Sequence, residues 1–149
     1  MVKPPSQIDF VHYKKHASVC RELQMNFNSQ QLQQALATEE AVLFAYLFGS
    51  VAAGETTPLS DVDVAVYPAR KLTLDDRLGI IQRLGKKTKL ESLDVTFLDR
   101  LENLYILAAI IDDGVVLVDK NPAARKLFEV MKQHQFIDFK YQRQLYMGA

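Results

Sequence analysis

Two carboxylates one residue apart, Asp61 and Asp63, open the stretch Asp61-Val62-Asp63-Val64-Ala65-Val66-Tyr67. Strict alternation of this kind marks a half-buried strand, in which residues two apart share a face and stand roughly 7 Å apart along the chain. Val62, Val64 and Val66 take one face; Asp61, Asp63, Ala65 and Tyr67 take the other. A later stretch, Leu93 to Leu98, alternates in the same way and carries Asp94 in phase with Thr96 and Leu98. If the two strands are neighbours, Asp94 joins Asp61 and Asp63 on one sheet face. Three carboxylates so placed repel one another strongly unless cations sit between them. Oxygen-only donors select a hard cation, and Mg²⁺ commonly completes its shell with waters and substrate phosphates. Two such ions align attacking and leaving oxygens for in-line phosphoryl or nucleotidyl transfer.

Gly49-Ser50 lies ten residues before Asp61, at the end of Val42-Leu43-Phe44-Ala45-Tyr46-Leu47-Phe48. That apolar run is short, rich in aromatic residues and closed by a turn signal, so it predicts a strand buried on both faces. Glycine lets a backbone approach a phosphate closely, and the amides that follow it, with the Ser50 hydroxyl, can donate to phosphate oxygens. A short helix starting at Val51-Ala52-Ala53 would add further donors, with Gly54 ending that turn.

The elements that must position these groups follow from local signals. Ile8 to Leu23 has a weak helical pattern, and Asn28 or Ser29 caps a helix to about Ala37. Thr73 is an N-cap with Asp75 and Asp76 in the first turn. Leu74, Leu78, Ile81 and Leu84 form its expected buried stripe, and Lys86, Lys87 and Lys89 sit at its C-terminal end. A helix from about Leu101 to Ile111 stops at Asp112-Asp113-Gly114, Val115 to Val118 is a fourth strand, and Asn121-Pro122 opens a final helix. The order predicts an α/β (α+β) fold, a mixed sheet of about four strands flanked by helices.

Composition narrows the class. The chain has 149 residues, 48% of them hydrophobic and 24% charged, as expected for a single globular domain. Its 18 basic and 18 acidic side chains balance, which argues against a protein whose main task is direct nucleic-acid binding. One cysteine, Cys20, excludes an internal disulfide and Cys-cluster zinc sites. The start, Met1-Val2-Lys3-Pro4-Pro5-Ser6, lacks the pattern of a secretory signal, and no apolar run is of membrane-spanning length, so a cytoplasmic protein is expected. His12, His16 and His134 share no ligand spacing with the aspartates. Tyr141, Arg143 and Tyr146 in the last helix are open both to a partner contact and to ordinary helix packing.

Gly49-Ser50, ten residues, Asp61-x-Asp63 and then Asp94 on a later strand resembles the signature of the DNA polymerase β-type nucleotidyltransferases. The short chain, the phrase Ala45-Tyr46-Leu47-Phe48-Gly49-Ser50, and Asp113-Gly114-Val115-Val116-Leu117-Val118 followed by Arg125 and Phe128 resemble the minimal nucleotidyltransferase (MNT) antitoxins paired with HEPN-domain toxins. The resemblance covers residues 28 to about 146 and leaves 1–27 as a part-helical extension before a minimal nucleotidyltransferase domain at 28–149. It implies a palm-like fold and Mg²⁺-dependent transfer of AMP from ATP to a tyrosine of a partner HEPN toxin, which silences the toxin's RNase activity. By position, Asp61 and Asp63 would hold the metal ions and Asp94 would complete the triad, orienting the nucleophile or acting as its base. Gly49 and Ser50 would bind the triphosphate. Many members carry Arg where this chain has Ala53, which removes a phosphate contact and keeps a second reading in play, an antitoxin acting by direct binding. A third reading, transfer to a small molecule or an RNA end, has little room for an acceptor domain and no basic surplus to support it.

Overall fold

β1 (Val42–Phe48) is the centre of the molecule because its seven residues supply apolar side chains to both faces of the sheet. In the computed structural model, which describes residues 29–49, 61–90 and 92–147, it is preceded by α1 (Ser29–Thr38) and followed by β2 (Val62–Pro68). α2 (Leu74–Thr88), β3 (Leu93–Phe97), α3 (Leu104–Asp113), β4 (Val115–Asp119) and α4 (Pro122–Met147) complete the order. The expected helix at Ile8–Leu23 and turn at residues 51–54 lie outside the described residues. The sheet runs β3-β2-β1-β4; β1 pairs antiparallel with β2 and β4, and β2 pairs parallel with β3. The mixed four-stranded sheet predicted from the element order is therefore present. Among the described residues, no helix is long and apolar enough to cross a membrane.

Two apolar clusters grip the sheet from opposite sides. On one face Val62, Val64 and Val66 pack with Ala45 and Leu47 against Leu32 and Leu36 of α1 and Ile80 and Leu84 of α2. On the other, Phe44, Tyr46 and Ala65 meet Leu107, Ile110 and Ile111 of α3 and Phe128 of α4. A register shift between Val42 and Phe44 lets Val42 serve the first cluster and Leu43 and Phe44 the second. Phe44 and Tyr67 stack at 4.7 Å between ring centroids, and Phe128 tilts against both, which fixes where α4 leaves the sheet.

A polar anchor secures the same junction. The Tyr46 hydroxyl donates to Glu129 (2.7 Å), while Arg125 donates to Glu129 (2.7 Å) and to Asp119 (2.8 Å). Burial, then the Glu129 carboxylate, push the Tyr46 hydroxyl far above its ordinary pKa, so it remains a donor. Burial works against the Arg125 charge, but Asp119 and Glu129 outweigh it.

Several local expectations shift. Leu74 and Leu78 are 70% and 50% exposed; the buried side of α2 is Arg77, Ile80, Leu84 and Thr88. Arg77 takes an inward place because Asp99 accepts two of its N–H groups (2.6 and 3.0 Å) and its guanidinium lies 4.7 Å from the Phe97 ring centroid. Hydrophobicity alone assigns such a position to the surface; a paired, stacked arginine reverses it. Thr73 and Asp76 form the expected cap, closed into a capping box, but α2 ends at Lys89 in the left-handed region (φ 55°). α3 starts three residues later than expected, because the Asn103 side chain accepts from the N–H groups of Tyr105 and Ile106. Gly114 does stop α3, yet its φ is −68° and no left-handed turn is involved. Glycine is needed there because a Cβ would collide with the Ile110 carbonyl and press on that of Leu47.

The anchor predicts an asymmetry between two substitutions. Arg125→Ala strands two partly buried carboxylates and should cost about 2–3 kcal/mol, lowering the melting temperature by about 5–8 °C. Tyr46→Phe keeps the ring packing and should cost about 1 kcal/mol. Thermal unfolding of both variants at neutral pH checks the order.

Candidate active site

The fold makes β2 and β3 neighbours, the condition on which the three aspartates share one face. Asp63 and Asp94 are direct partners in the parallel β2–β3 ladder, and side chains at partnered positions point to the same face. Asp61 stands one residue before β2, exposed, with Asp63 half-buried and Asp94 exposed. Phe48, the last residue of β1, pairs with Asp63, and Leu47 pairs with Val115. The site therefore lies at the edge where β1 ends and β2, β3 and β4 begin. It faces the side of the sheet that α3 and α4 cover further along.

Electrostatics reports the crowding directly. The Asp63 carboxyl is pushed above its ordinary pKa, first by burial, then by the charge of Asp94, then by that of Asp61. Among the described residues, no three His, Cys, Asp or Glu side chains are already drawn into a metal cage. The oxygen-only donor set fits a hard divalent cation, whose charge would offset this repulsion.

Gly49 has a second role beyond the one its sequence position suggested. It follows β1 with φ +80°, and a Cβ built on it would overlap Oδ2 of Asp63. The residue that ends the strand thus also leaves the volume that the carboxylate occupies. The signal for this in the sequence is a glycine at a strand end, which permits the left-handed region without revealing what stands beside it. Ser50 and Ala53 lie outside the described residues, as do His12, His16 and Cys20. His134 is exposed on α4, away from the carboxylates in sequence and element. A cleft of about 520 Å³ lined by Asp99, Arg100, Glu102 and Lys132 sits past the other end of β3 and contains none of the three aspartates.

The model of the family described as "Polymerase beta, Nucleotidyltransferase" matches residues 30–123. The chain belongs to this nucleotidyltransferase family. Its match runs from the second residue of α1 through all four strands, so Gly49, Asp61, Asp63 and Asp94 fall inside it. Solved structures share the fold at low identity. A toxin–antitoxin structure with AMP-PNP aligns with TM-score 0.67 and 23% identity over 82% of this chain and 97% of that one. A tri-AMPylated Shewanella oneidensis HEPN toxin in complex with MNT antitoxin gives TM-score 0.62 and 22% identity over 85% and 96%. The toxin–antitoxin MntA-HepT gives 0.60 and 20% over 81% and 94%. No curated protein sequence matches the chain.

Two measurements test the site without substrate. Gly49→Ala should cost about 1–3 kcal/mol through its positive φ and the overlap with Asp63. Part of that cost should vanish when Asp63→Ala is added, a coupling that a double-mutant cycle reads. Raised in the fold, the Asp63 carboxyl binds its proton more tightly folded than unfolded. The metal-free fold thus gains from it at low pH and loses that gain as pH rises through the raised value. Asp63→Asn should raise the metal-free melting temperature at neutral pH by about 2 °C, with a smaller effect in acid; a fall in melting temperature would contradict the repulsion.

Proposed function

We propose that this nucleotidyltransferase transfers AMP from ATP to a tyrosine hydroxyl of a partner HEPN toxin and thereby acts as its antitoxin. The observation that carries the reading is the pairing of Asp63 with Asp94 beside Asp61, at the mouth of the Gly49 turn, within the matched family. The aligned structures support the acceptor and the nucleotide, because they include an AMP-PNP complex and a tri-AMPylated toxin bound to an MNT antitoxin.

Asp61 and Asp63 would hold Mg²⁺, with Asp94 completing the set. The ion, when bound, supplies charge that neutralises the phosphate oxygens and the developing leaving group. The chain's own groups do the rest. The Gly49 turn brings backbone close to the triphosphate, and the Ser50 hydroxyl donates to it. Asp94, exposed at the edge of the group, accepts the proton of the incoming tyrosine or holds its oxygen in line. The bond from that oxygen to the α-phosphorus forms as the bond to the pyrophosphate oxygen breaks, and pyrophosphate leaves.

With ATP, Mg²⁺ and its partner HEPN toxin, the wild-type chain should add AMP masses to the toxin. Asp61→Asn and Asp63→Asn should each abolish the addition, and Asp94→Asn should slow it by about 10²–10⁴-fold. Intact-mass spectrometry of the toxin reads all three. If Asp63→Asn still protects cells from the toxin, neutralisation is by contact; if the toxin is never modified by active wild-type protein, the acceptor lies elsewhere.

A further inference from the structure

α4 is 26 residues long, about 39 Å, and only Phe128 on it is buried. One side of it is held by the body: Phe136 and Phe139 meet the Tyr105 ring edge-on, and Arg143 donates to the Tyr105 hydroxyl. At 100° per residue, a second apolar stripe lies on the far side, made by Leu127, Val130, Met131, Ile137, Tyr141 and Leu145. These six are between 49% and 64% exposed and together present roughly 600 Å² of surface. His134 and Asp138, both exposed, interrupt it at the middle.

We propose that this face of α4 is a homodimer interface, in which two copies of the chain pair their α4 helices antiparallel about a dyad near Phe136. Size is one argument. Two such patches bury about 1,200 Å² together, which reaches the range of specific interfaces. Self-complementarity is the other. In an antiparallel pair centred at Phe136, Leu127 meets Leu145 of the second copy and Met131 meets Tyr141. His134 meets Asp138, and each contact occurs twice, as an isologous interface requires. A parallel pair would set Asp138 against Asp138. Because the stripe lies opposite the side that contacts α3, pairing needs no rearrangement of the fold. This inference does not rest on the acceptor proposed above.

Light scattering of the full-length chain at tens of micromolar should give twice the chain mass. Ile137→Glu should give the single-chain mass with unchanged circular dichroism. Asp138→Lys should weaken the dimer by about tenfold, and adding His134→Glu should restore it by exchanging the charges. In a Cys20→Ser background, Leu127→Cys with Leu145→Cys should form a covalent dimer on mild oxidation, while Leu127→Cys alone should not. A single-chain mass for the wild type overturns the proposal, and then loss of toxin binding by Ile137→Glu would assign the face to the toxin. Cross-linking by Leu127→Cys alone overturns the antiparallel arrangement.

Discussion

Like-charge repulsion around Asp63 is the constraint that the remaining structure must hold in place. The carboxylate stands between Asp61 and Asp94 and beside Gly49, and its pKa is raised first by burial, then by the charges of Asp94 and Asp61. Left to themselves such groups would separate or bind protons. They remain together because each is fixed to a strand whose opposite face is buried. Val62 and Val64 flank Asp63 on β2, and Leu93 and Val95 flank Asp94 on β3, all packed into the cluster beneath α1 and α2. To move one carboxylate away, the strand would have to withdraw valines from the core. The fold therefore holds an unfavourable charge arrangement, and a divalent cation bound there would relieve it and so couple ion binding to the stability of this edge of the sheet.

The two faces of the sheet divide the work. The face under α1 and α2 is a nearly pure aliphatic layer. The opposite face changes character along its length, from the Phe44–Tyr67–Phe128 aromatic group to the open carboxylate edge. The buried polar anchor of Tyr46, Arg125, Asp119 and Glu129 sits at the aromatic end, where α4 begins. Rigid packing and paired charge are thus placed away from the open carboxylate edge, and α4, which begins at this anchor, keeps its second apolar side exposed.

Much of this was legible in local pattern. The period-2 valines of β2, the aromatic run of β1 and the Thr73 cap each follow from backbone geometry that acts over a few residues, so they stand where the pattern puts them. The errors fall where a distant partner decides. Leu74 and Leu78 appear to belong to the core until Asp99 and Phe97 draw Arg77 inward and turn the helix by part of a turn. Gly114 does stop α3 as its position indicates; what the local pattern does not reveal is that a side chain there would meet the Ile110 and Leu47 carbonyls. The solvent-facing second stripe of α4 could not be distinguished from a buried one, since apolar periodicity gives the side of a helix and not what lies against it.

The sequence by itself determined the chemical identities, the glycine turn and the phase of each aspartate within its own strand, because side-chain alternation is a local property of extended backbone. It could not determine that β3 lies beside β2 in a register that sets Asp94 against Asp63. That pairing depends on α2 crossing the sheet and packing on the valine face, a long-range fit of whole surfaces. Nor could it show that Asp63 fills the space a side chain at residue 49 would need. The carboxylates were nameable from their spacing; their convergence is a product of the fold.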